Sequence, residues 1–425
     1  MRPEIVSIVV LLALFVAGTV LPVNLGALGF FAAFLVGTTT LGLPPGDIIA
    51  GFPENLFLLL VGITYLFGIA LTNGTIDLLV NWSIRLVRAR AAALPWVFFF
   101  TSALLTSIGA LFAVAIVAPI ALRFAARFRM SPLFIGMMVV HGALAGAFSP
   151  ISVYGSFVNG LMTDTALPSS PLTLFLSSFL FNLVIASAVF LALGGQGLIG
   201  LRMSDLREVT VKTELKVDEF EDARPGPVRA DQVATIVGIA ALAVGTTAFG
   251  FDVGFLSISI AVVLALLSPR SQKDAVEKVS WSTVLLITGM LTYVSVLEKA
   301  GTMDYVSGAV TGLGAPLLAA LLLCFIGGIA SAFASSVAIL GVAVPLAVPF
   351  LREGHIGAIG MIAALAVATT VVDVSPFSTN GALVLANVAG IDRNRFYRQM
   401  LTYSAVVVVA GPFLAWALLV LPGWL

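Results

Sequence analysis

Long apolar stretches, separated by short polar turns, follow one another along almost the whole chain. Many of them contain about 18 or more residues, the length that a helix needs to cross the hydrocarbon core of a bilayer. In the first half the pattern predicts helices over 4–22, 25–43, 55–73 and, shorter and amphipathic, 75–90. Their counterparts in the second half are 232–250, 253–268, 282–299 and 302–313. The pattern predicts an all-α integral membrane protein.

Two further apolar stretches of each half are interrupted by small and polar residues. The first interruption lies near 106–110 in one half and near 331–336 in the other, and we interpret each as the tip of a re-entrant hairpin. The second is a Ser-Pro step, in "AGAFSPISVYGSFVN" (145–159) and "DVSPFSTNGALVLAN" (373–387). Proline has no N–H to lose, so it fits the start of a new half-helix. We expect both helices to be broken near the membrane midplane.

These breaks belong to an internal repeat. The motif "SPIS" (149–152) recurs as "SPFS" (375–378), 226 positions later, and the same shift carries Gly155 to Gly381. Upstream, a shift of 227 brings further glycines and aspartates into register. The chain is therefore predicted to consist of two copies of one folding unit.

The two copies are expected to have opposite orientations in the membrane. A re-entrant hairpin returns to the side that it enters, so each copy crosses five times, and an odd number inverts the second copy. Eighteen of the 21 Arg and Lys residues then fall on one face, which the positive-inside rule makes cytoplasmic. We predict repeat 1 over 1–200, a cytoplasmic linker over 201–230 and repeat 2 over 231–425, with both termini outside a bacterial inner (plasma) membrane.

Composition agrees with a multi-pass membrane protein. Hydrophobic residues make up 60% of the chain and charged residues 10%, whereas soluble domains have about 25% charged residues. Net charge is zero and we expect no nucleic-acid partner; the single cysteine, Cys324, cannot form an intrachain disulfide. The first 22 residues could pass for a signal peptide, but their counterpart in the second half argues for a membrane helix.

Broken helices offer binding groups at membrane depth. Backbone without helical hydrogen bonds is tolerated there only where it lines a cavity or is buried in protein, and inverted repeats with such breaks are typical of secondary transporters. Freed N–H groups suit an anion, while carbonyls and hydroxyls suit a small cation. Polar side chains of this kind are Ser149, Ser152, Ser375, Ser378, Thr379 and Asn380. Such residues can also merely pack or kink a membrane helix, but their recurrence at matching positions favours a binding site.

Hairpin, Pro-bearing helix end and broken helix recur in this order in both halves. Together they resemble the ion-transporter superfamily, the divalent anion/sodium symporters in particular, and "HGALAGAFSPIS" (141–152) and "DVSPFSTNGALVLAN" (373–387) look most like bacterial malonate/dicarboxylate carriers. The resemblance implies sodium-coupled symport of a small dicarboxylate such as malonate or succinate, with sodium as coupling ion and no cofactor. It also implies a homodimer that works by an elevator mechanism.

The implied parts and sites can be placed by residue number. The scaffold would comprise 1–90 and 231–313, and the mobile transport part 92–200 and 314–425. One cation site would be formed by Ser149, Ser152, Gly155 and the tip around Gly109. The other would be formed by Ser375, Ser378 and Asn380 with Ser331, Ser335 and Ser336 of the second tip. Substrate carboxylates would lie between the tips, in reach of Gly109, Ser152, Ser336, Ser378, Thr379 and Asn380. Neither tip carries the Ser-Asn-Thr typical of these symporters.

Ionisable residues inside a bilayer are functional candidates, because burying an unpaired charge costs several kcal/mol. Asp373 could ligate a cation, carry a proton, or pair with a helix-end N–H. His141 has no equivalent in the second repeat and could pack or shuttle protons. A cation/proton antiporter or a proton-coupled anion carrier that uses Asp373 therefore remains the alternative. Asp77 and Asp304, each after a Gly-Thr pair, predict caps of short interfacial helices.

Motifs of other protein classes do not occur. The chain has no His-Glu-x-x-His, no Gly-x-Ser-x-Gly and no Gly-x-x-x-x-Gly-Lys-Ser/Thr. We therefore expect neither an intramembrane enzyme nor an ATP-driven pump.

Overall fold

A computed structural model describes residues 2–85, 91–165, 167–201, 228–269, 272–311, 315–333, 335–352, 354, 356–388 and 392–423. Every regular element within these ranges is a helix, which confirms the all-α expectation. The helices of the first half are α1 Pro3–Val20, α2 Leu25–Thr39, α3 Pro45–Ile49, α4 Glu54–Thr72, α5 Thr75–Arg85, α6 Ala93–Ser107, α7 Ala113–Arg127, α8 Pro132–Gly146, α9 Val153–Thr165 and α10 Pro171–Ala192. Those of the second half are α11 Ala230–Ala248, α12 Val253–Leu267, α13 Gln272–Glu277, α14 Trp281–Lys299, α15 Thr302–Thr311, α16 Pro316–Ser331, α17 Ser336–Arg352, α18 Ala358–Val371, α19 Thr379–Asn387 and α20 Arg393–Leu419.

Several helices are long and apolar enough to span a membrane, which makes the chain a multi-pass membrane protein. Five of them, α4, α10, α11, α14 and α20, have at least 19 residues and few charges. Shorter apolar helices such as α2, α8 and α12 accompany them. Large apolar side chains cover much of the outer surface, for example Val16, Val184 and Leu266. An apolar exterior of this kind is stable only in contact with lipid.

The two halves contain the same helices in the same order. Thus α4 and α14 begin 227 residues apart, and α9 and α19 begin 226 residues apart. The halves also pack reciprocally, because α2 lies on α14 while its counterpart α12 lies on α4. Glycines make both contacts possible. A Cβ atom on Gly289 would lie 1.9 Å from the carbonyl oxygen of Gly26, and one on Gly62 would lie 2.8 Å from that of Gly254.

Buried polar contacts join the start of each half to the other half. The hydroxyl groups of Ser7 (α1) and Thr302 (α15) are 2.6 Å apart, and Tyr293 of α14 donates to the Ser7 carbonyl at 2.8 Å. In the same way, the Asn73 amide after α4 donates to Thr235 of α11 at 2.8 Å. Each buried hydroxyl thereby has a partner, so these contacts fix the helix positions without leaving unpaired polar groups.

Some helix boundaries differ from the sequence-based prediction. Helix α2 ends at Thr39 rather than near 43, because Gly42 adopts a positive φ of 66° and Pro44 follows. The short helices α3 and α13 were not predicted, since five or six residues show no clear period. Residues 86–90 and 312–313 of the predicted amphipathic helices, and 202–227 of the predicted linker, lie outside the described residues.

The prediction that Asp77 and Asp304 cap short helices is wrong. Both lie in the first turns of α5 and α15 rather than at the cap position. The cap of α5 is Asn73, whose side-chain oxygen accepts a hydrogen bond of 3.0 Å from the N–H of Thr75. Gly74, with φ of 74°, turns the chain so that Asn73 can reach this group.

Candidate functional site

The first Ser-Pro step is a true interruption between α8 and α9, with turns over 147–152. The Ser152 hydroxyl lies within hydrogen-bond distance of the carbonyl oxygens of Ala147 and Ser149, the latter at 2.7 Å. It also accepts from the N–H of Gly155 at 3.0 Å. Since a hydroxyl has a single proton, it cannot satisfy both carbonyls at once. The three oxygen atoms therefore form a buried cluster in which at least one carbonyl oxygen can accept a further contact.

The second Ser-Pro step has the same geometry between α18 and α19. The hydroxyl of Ser378 donates to the carbonyl oxygen of Ser375 at 2.7 Å, as Ser152 does to Ser149. The Ser375 hydroxyl in turn accepts from the N–H of Phe377 at 3.2 Å. The two breaks therefore share one backbone arrangement, as their sequence similarity predicts.

A glycine allows the close approach in each break. A Cβ atom on Gly155 would lie 1.9 Å from the carbonyl oxygen of Ser149, and one on Gly381 would lie 1.9 Å from that of Ser375. Real Cβ atoms essentially never come within 3.0 Å of another atom. Both positions therefore need glycine, and any side chain there would open the turn.

Asp373 lies two residues after the end of α18 and is buried, with 4% of its surface exposed. One carboxylate oxygen accepts from the side-chain amide of Asn380 at 2.9 Å, and the other accepts from the Asn380 backbone N–H at 3.3 Å. The pairing of Asp373 with a helix-end N–H, one of the three roles considered from the sequence, is therefore present. The matching position of the first break is Ala147, so only the second break carries a carboxyl group.

The tip between α6 and α7 lies against the first break. Ser107 donates to the carbonyl oxygen of Gly146 at 3.4 Å. Gly109 has φ of 106°, and a Cβ atom there would lie 2.8 Å from Ile63 and 3.9 Å from the Ile151 carbonyl oxygen. The predicted tip glycine is thus needed to make the turn, and it lies beside the first cluster of oxygens.

The tip between α16 and α17 lies near the second break. The buried hydroxyls of Ser331 and Ser336 are 2.8 Å apart and hydrogen-bonded. The ring of Phe333 stacks on that of Phe377 from the break, with centroids 5.8 Å apart. Within the part of the chain that the structure describes, no hydrogen bond joins Ser331 or Ser336 to Ser375 or Ser378.

A cavity of about 80 Å³ lies where the tips and breaks converge. Its lining residues are Thr106, Leu111 and Phe112 of the first tip, Ala143, Leu144, Ala147 and Tyr154 of the first break, Ser335 and Val337 of the second tip, Asp373, Thr379 and Asn380 of the second break, and Thr283 and Leu286 of α14. Reciprocal contacts frame it, because α7 packs on α19 and α17 on α9.

Four of the predicted site residues line this cavity, namely Ser335, Asp373, Thr379 and Asn380. The remaining predicted residues are not among those that line it: Gly109, Ser149, Ser152, Gly155, Ser331, Ser336, Ser375 and Ser378. Of the described lining residues none is basic, and the side chain of Thr106 is buried with no hydrogen-bond partner. A buried, unpaired hydroxyl that faces a cavity is typical of a position where a ligand supplies the partner.

Three polar lining residues were not in the predicted set. Thr106 belongs to the first tip, but nothing in the sequence distinguishes it from a packing residue there. Tyr154 follows the first break directly, which is a signal that could have found it. Thr283 lies on α14, which is predicted to be scaffold and offers no polar motif to indicate a site.

His141 belongs to a separate polar network. Its two ring nitrogens contact the side-chain oxygen of Asn182 at 2.9 Å and the hydroxyl of Tyr403 at 2.6 Å. The ring is fully buried and links α8 to α10 and α20, and it is not among the residues that line the cavity. This geometry fits the packing and hydrogen-bonding interpretation of His141.

Comparisons with known proteins agree with the sequence motifs. Residues 1–147 match the family model described as the N-terminus of the dicarboxylate carrier protein MatC. The fold is similar to the crystal structure of the YdaH transporter of Alcanivorax borkumensis, with a TM-score of 0.56 and 13% identity over 98% of each chain. No curated protein sequence matches the chain. The resemblance to dicarboxylate carriers is therefore confirmed over residues 1–147, and the fold of nearly the whole chain is similar to that of the YdaH transporter.

Proposed function

We propose that the protein is a secondary active transporter of small dicarboxylates, malonate- or succinate-like, coupled to sodium symport. The observation that carries this proposal is the central cavity onto which both breaks and both tips converge. In the absence of a basic lining residue, carboxylates would bind the hydroxyls of Thr106 and Ser335, the Asn380 amide and the N-terminus of α19. The match of residues 1–147 to a dicarboxylate carrier family supports the substrate class.

The proposed architecture is a pair of inverted repeats, each with five crossings, one re-entrant hairpin and a broken helix. The reciprocal packing of α2 on α14 and α12 on α4 supports a two-fold relation between the halves. Among the described lining residues, Thr283 and Leu286 belong to the predicted scaffold (1–90, 231–313). The other described lining residues belong to the predicted transport part (92–200, 314–425). A site at this boundary suits an elevator movement within a homodimer, because the transport part would carry the site past a fixed wall.

Sodium would bind in the two oxygen clusters behind the cavity. At the first, the carbonyls of Ala147 and Ser149 and the Ser152 hydroxyl converge. At the second, candidate oxygens come from Ser375, Ser378, Asn380 and Asp373 of the break, and from Ser331, Ser335 and Ser336 of the tip. Small hard cations prefer oxygen ligands of this kind. Gly109 and Gly155 would contribute to the first site because the absence of a side chain lets backbone segments come close together there.

Asp373 makes charge compensation necessary. Two unit charges 4 Å apart repel by about 4 kcal/mol at an effective dielectric constant of 20. A dicarboxylate beside an ionised Asp373 would therefore bind poorly unless a cation or a proton neutralised the carboxylate. A sodium ion at the second cluster does so in the leading proposal. Because Asp373 lines the cavity itself, a proton-coupled dicarboxylate carrier is the second candidate.

Transport into proteoliposomes tests both candidates. We expect uptake of labelled malonate or succinate to require an inward sodium gradient, and Asn380→Ala to abolish it. Asn387→Ala is the matched control, because Asn387 lies at the far end of the same helix, where its amide donates to the Leu383 carbonyl. If a proton gradient alone drives uptake and Asp373→Asn abolishes it, transport is coupled to protons through Asp373. No uptake of any dicarboxylate under either gradient would refute the proposed function.

A further inference from the structure

A second, larger cleft of about 970 Å³ opens on the surface beside the first half of α20. It is lined by Leu133, Leu193, Asp392, Asn394, Arg395, Arg398, Gln399, Thr402, Tyr403 and Val406. None of these residues lines the central cavity. The cleft lies between α20, the start of α8 and the end of α10, which places it outside the proposed transport site.

The cleft has an unbalanced positive charge. Arg395 and Arg398 are exposed, and among the described residues neither forms an ion pair or a hydrogen bond through its side chain. The one acidic residue in the lining, Asp392, is already engaged as the cap of α20. Its carboxylate accepts from the N–H groups of Asn394 at 2.9 Å and Arg395 at 3.4 Å. Two guanidinium groups therefore remain available for an anion.

Polarity changes from one end of the cleft to the other. Arg395, Arg398 and Thr402 recur at helical spacing on one face of α20, and Val406 continues that face one turn further. From Arg395 to Val406 the helix rises by about 16 Å. The arginines lie at the start of a membrane helix, where the headgroup region is expected, and Val406 lies in its apolar part. Leu133 and Leu193 supply apolar walls.

We propose that this cleft binds an anionic phospholipid. Its phosphate would contact Arg395 and Arg398, which bind phosphate through paired N–H donors, and an acyl chain would follow the face that ends at Val406. A headgroup with a tail fits this lining better than a soluble anion, because an anion would leave the apolar part of the cleft unfilled. The lipid would lie on the helix whose Ser404 hydroxyl donates to the Val374 carbonyl in the second break, at 3.3 Å.

Thermal unfolding in detergent, with added lipid, tests this proposal without requiring transport. Phosphatidylglycerol should raise the midpoint temperature in a saturable way, whereas phosphatidylcholine and inorganic phosphate should not. In Arg395→Gln and Arg398→Gln, half-maximal stabilisation should need at least tenfold more phosphatidylglycerol. Arg393→Gln is the matched control, because Arg393 is exposed at the start of the same helix but does not line the cleft.

Three results would overturn the proposal. Equal stabilisation by phosphatidylcholine would show that the charge is not recognised, and equal stabilisation by inorganic phosphate would indicate a site for a soluble anion. An unchanged response in Arg395→Gln and Arg398→Gln would place the lipid elsewhere. If the glutamine variants do not fold, Arg395→Lys and Arg398→Lys keep the charge but lose the paired donors, and they should still need more lipid than the wild type does.

Discussion

Replacing Gly381 by alanine should selectively damage the proposed second cation site. The new Cβ atom would lie 1.9 Å from the Ser375 carbonyl oxygen, about 1.1 Å inside the 3.0 Å that real Cβ atoms keep. That carbonyl is held by the Ser378 N–H at 3.0 Å and the Ser378 hydroxyl at 2.7 Å, so it cannot rotate away without losing both bonds. Overpacking of this kind costs about 1–3 kcal/mol. If the Ser375 carbonyl oxygen instead shifts away from the ion, sodium affinity should fall about 5- to 150-fold.

Sodium dependence of succinate binding to the purified protein measures this effect, with thermal unfolding recorded alongside. Gly308→Ala is the control, since the same change on exposed α15 meets no atom within 4 Å and should leave both properties unchanged or slightly improved. Wild-type sodium affinity in Gly381→Ala would show that the Ser375 carbonyl does not hold the ion. A loss of folded protein, in place of a selective loss of affinity, would make the glycine purely structural.

Three further substitutions separate binding from folding. Thr106→Val should weaken dicarboxylate affinity about tenfold in a binding assay. The midpoint of unfolding should stay unchanged or rise, because the buried hydroxyl has no partner in the protein. Unchanged affinity would exclude Thr106 from the site. His141→Phe should leave dicarboxylate affinity intact but lower the unfolding temperature. The polar groups of Asn182 and Tyr403 would each lose a partner, at a cost of about 1–3 kcal/mol. A wild-type melting curve would contradict this. Gly26→Ala should lower the midpoint of unfolding by an overpacking cost of about 1–3 kcal/mol, because its Cβ atom would lie 1.8 Å from a carbonyl oxygen of α14. A wild-type melting curve would refute the close packing.

The sequence predicted the features that are local in the chain. A Ser-Pro step that recurs at matching positions of two repeats favours a break in each helix, so both breaks could be predicted from the sequence. Gly109 at the first tip is a similar case, since a sharp turn needs a positive φ.

The cavity could not be predicted in the same way, because its members meet only through packing. Thr106 and Asn380 are 274 positions apart, and Thr283 comes from a helix with no polar motif. Whether a hydroxyl such as that of Thr106 has a partner depends on every neighbour in space. Sequence similarity to symporters predicted Ser152, Ser336 and Ser378 at the substrate, whereas none of the three is among the residues that line the cavity. Their carbonyl and hydroxyl neighbours suit a cation better than a carboxylate.

The two breaks share their backbone but differ in charge, and this difference bears on how coupling would work. Ser152 and Ser378 make the same 2.7 Å contact, yet Asp373 stands where the first break has Ala147. A neutral cluster of oxygens can hold a sodium ion whether or not the substrate is present. At the second break, however, an ionised Asp373 would repel the proposed dianionic substrate until a cation neutralised it. We therefore infer that the second break makes substrate binding depend on the ion, while the first break adds affinity for the ion without imposing that order.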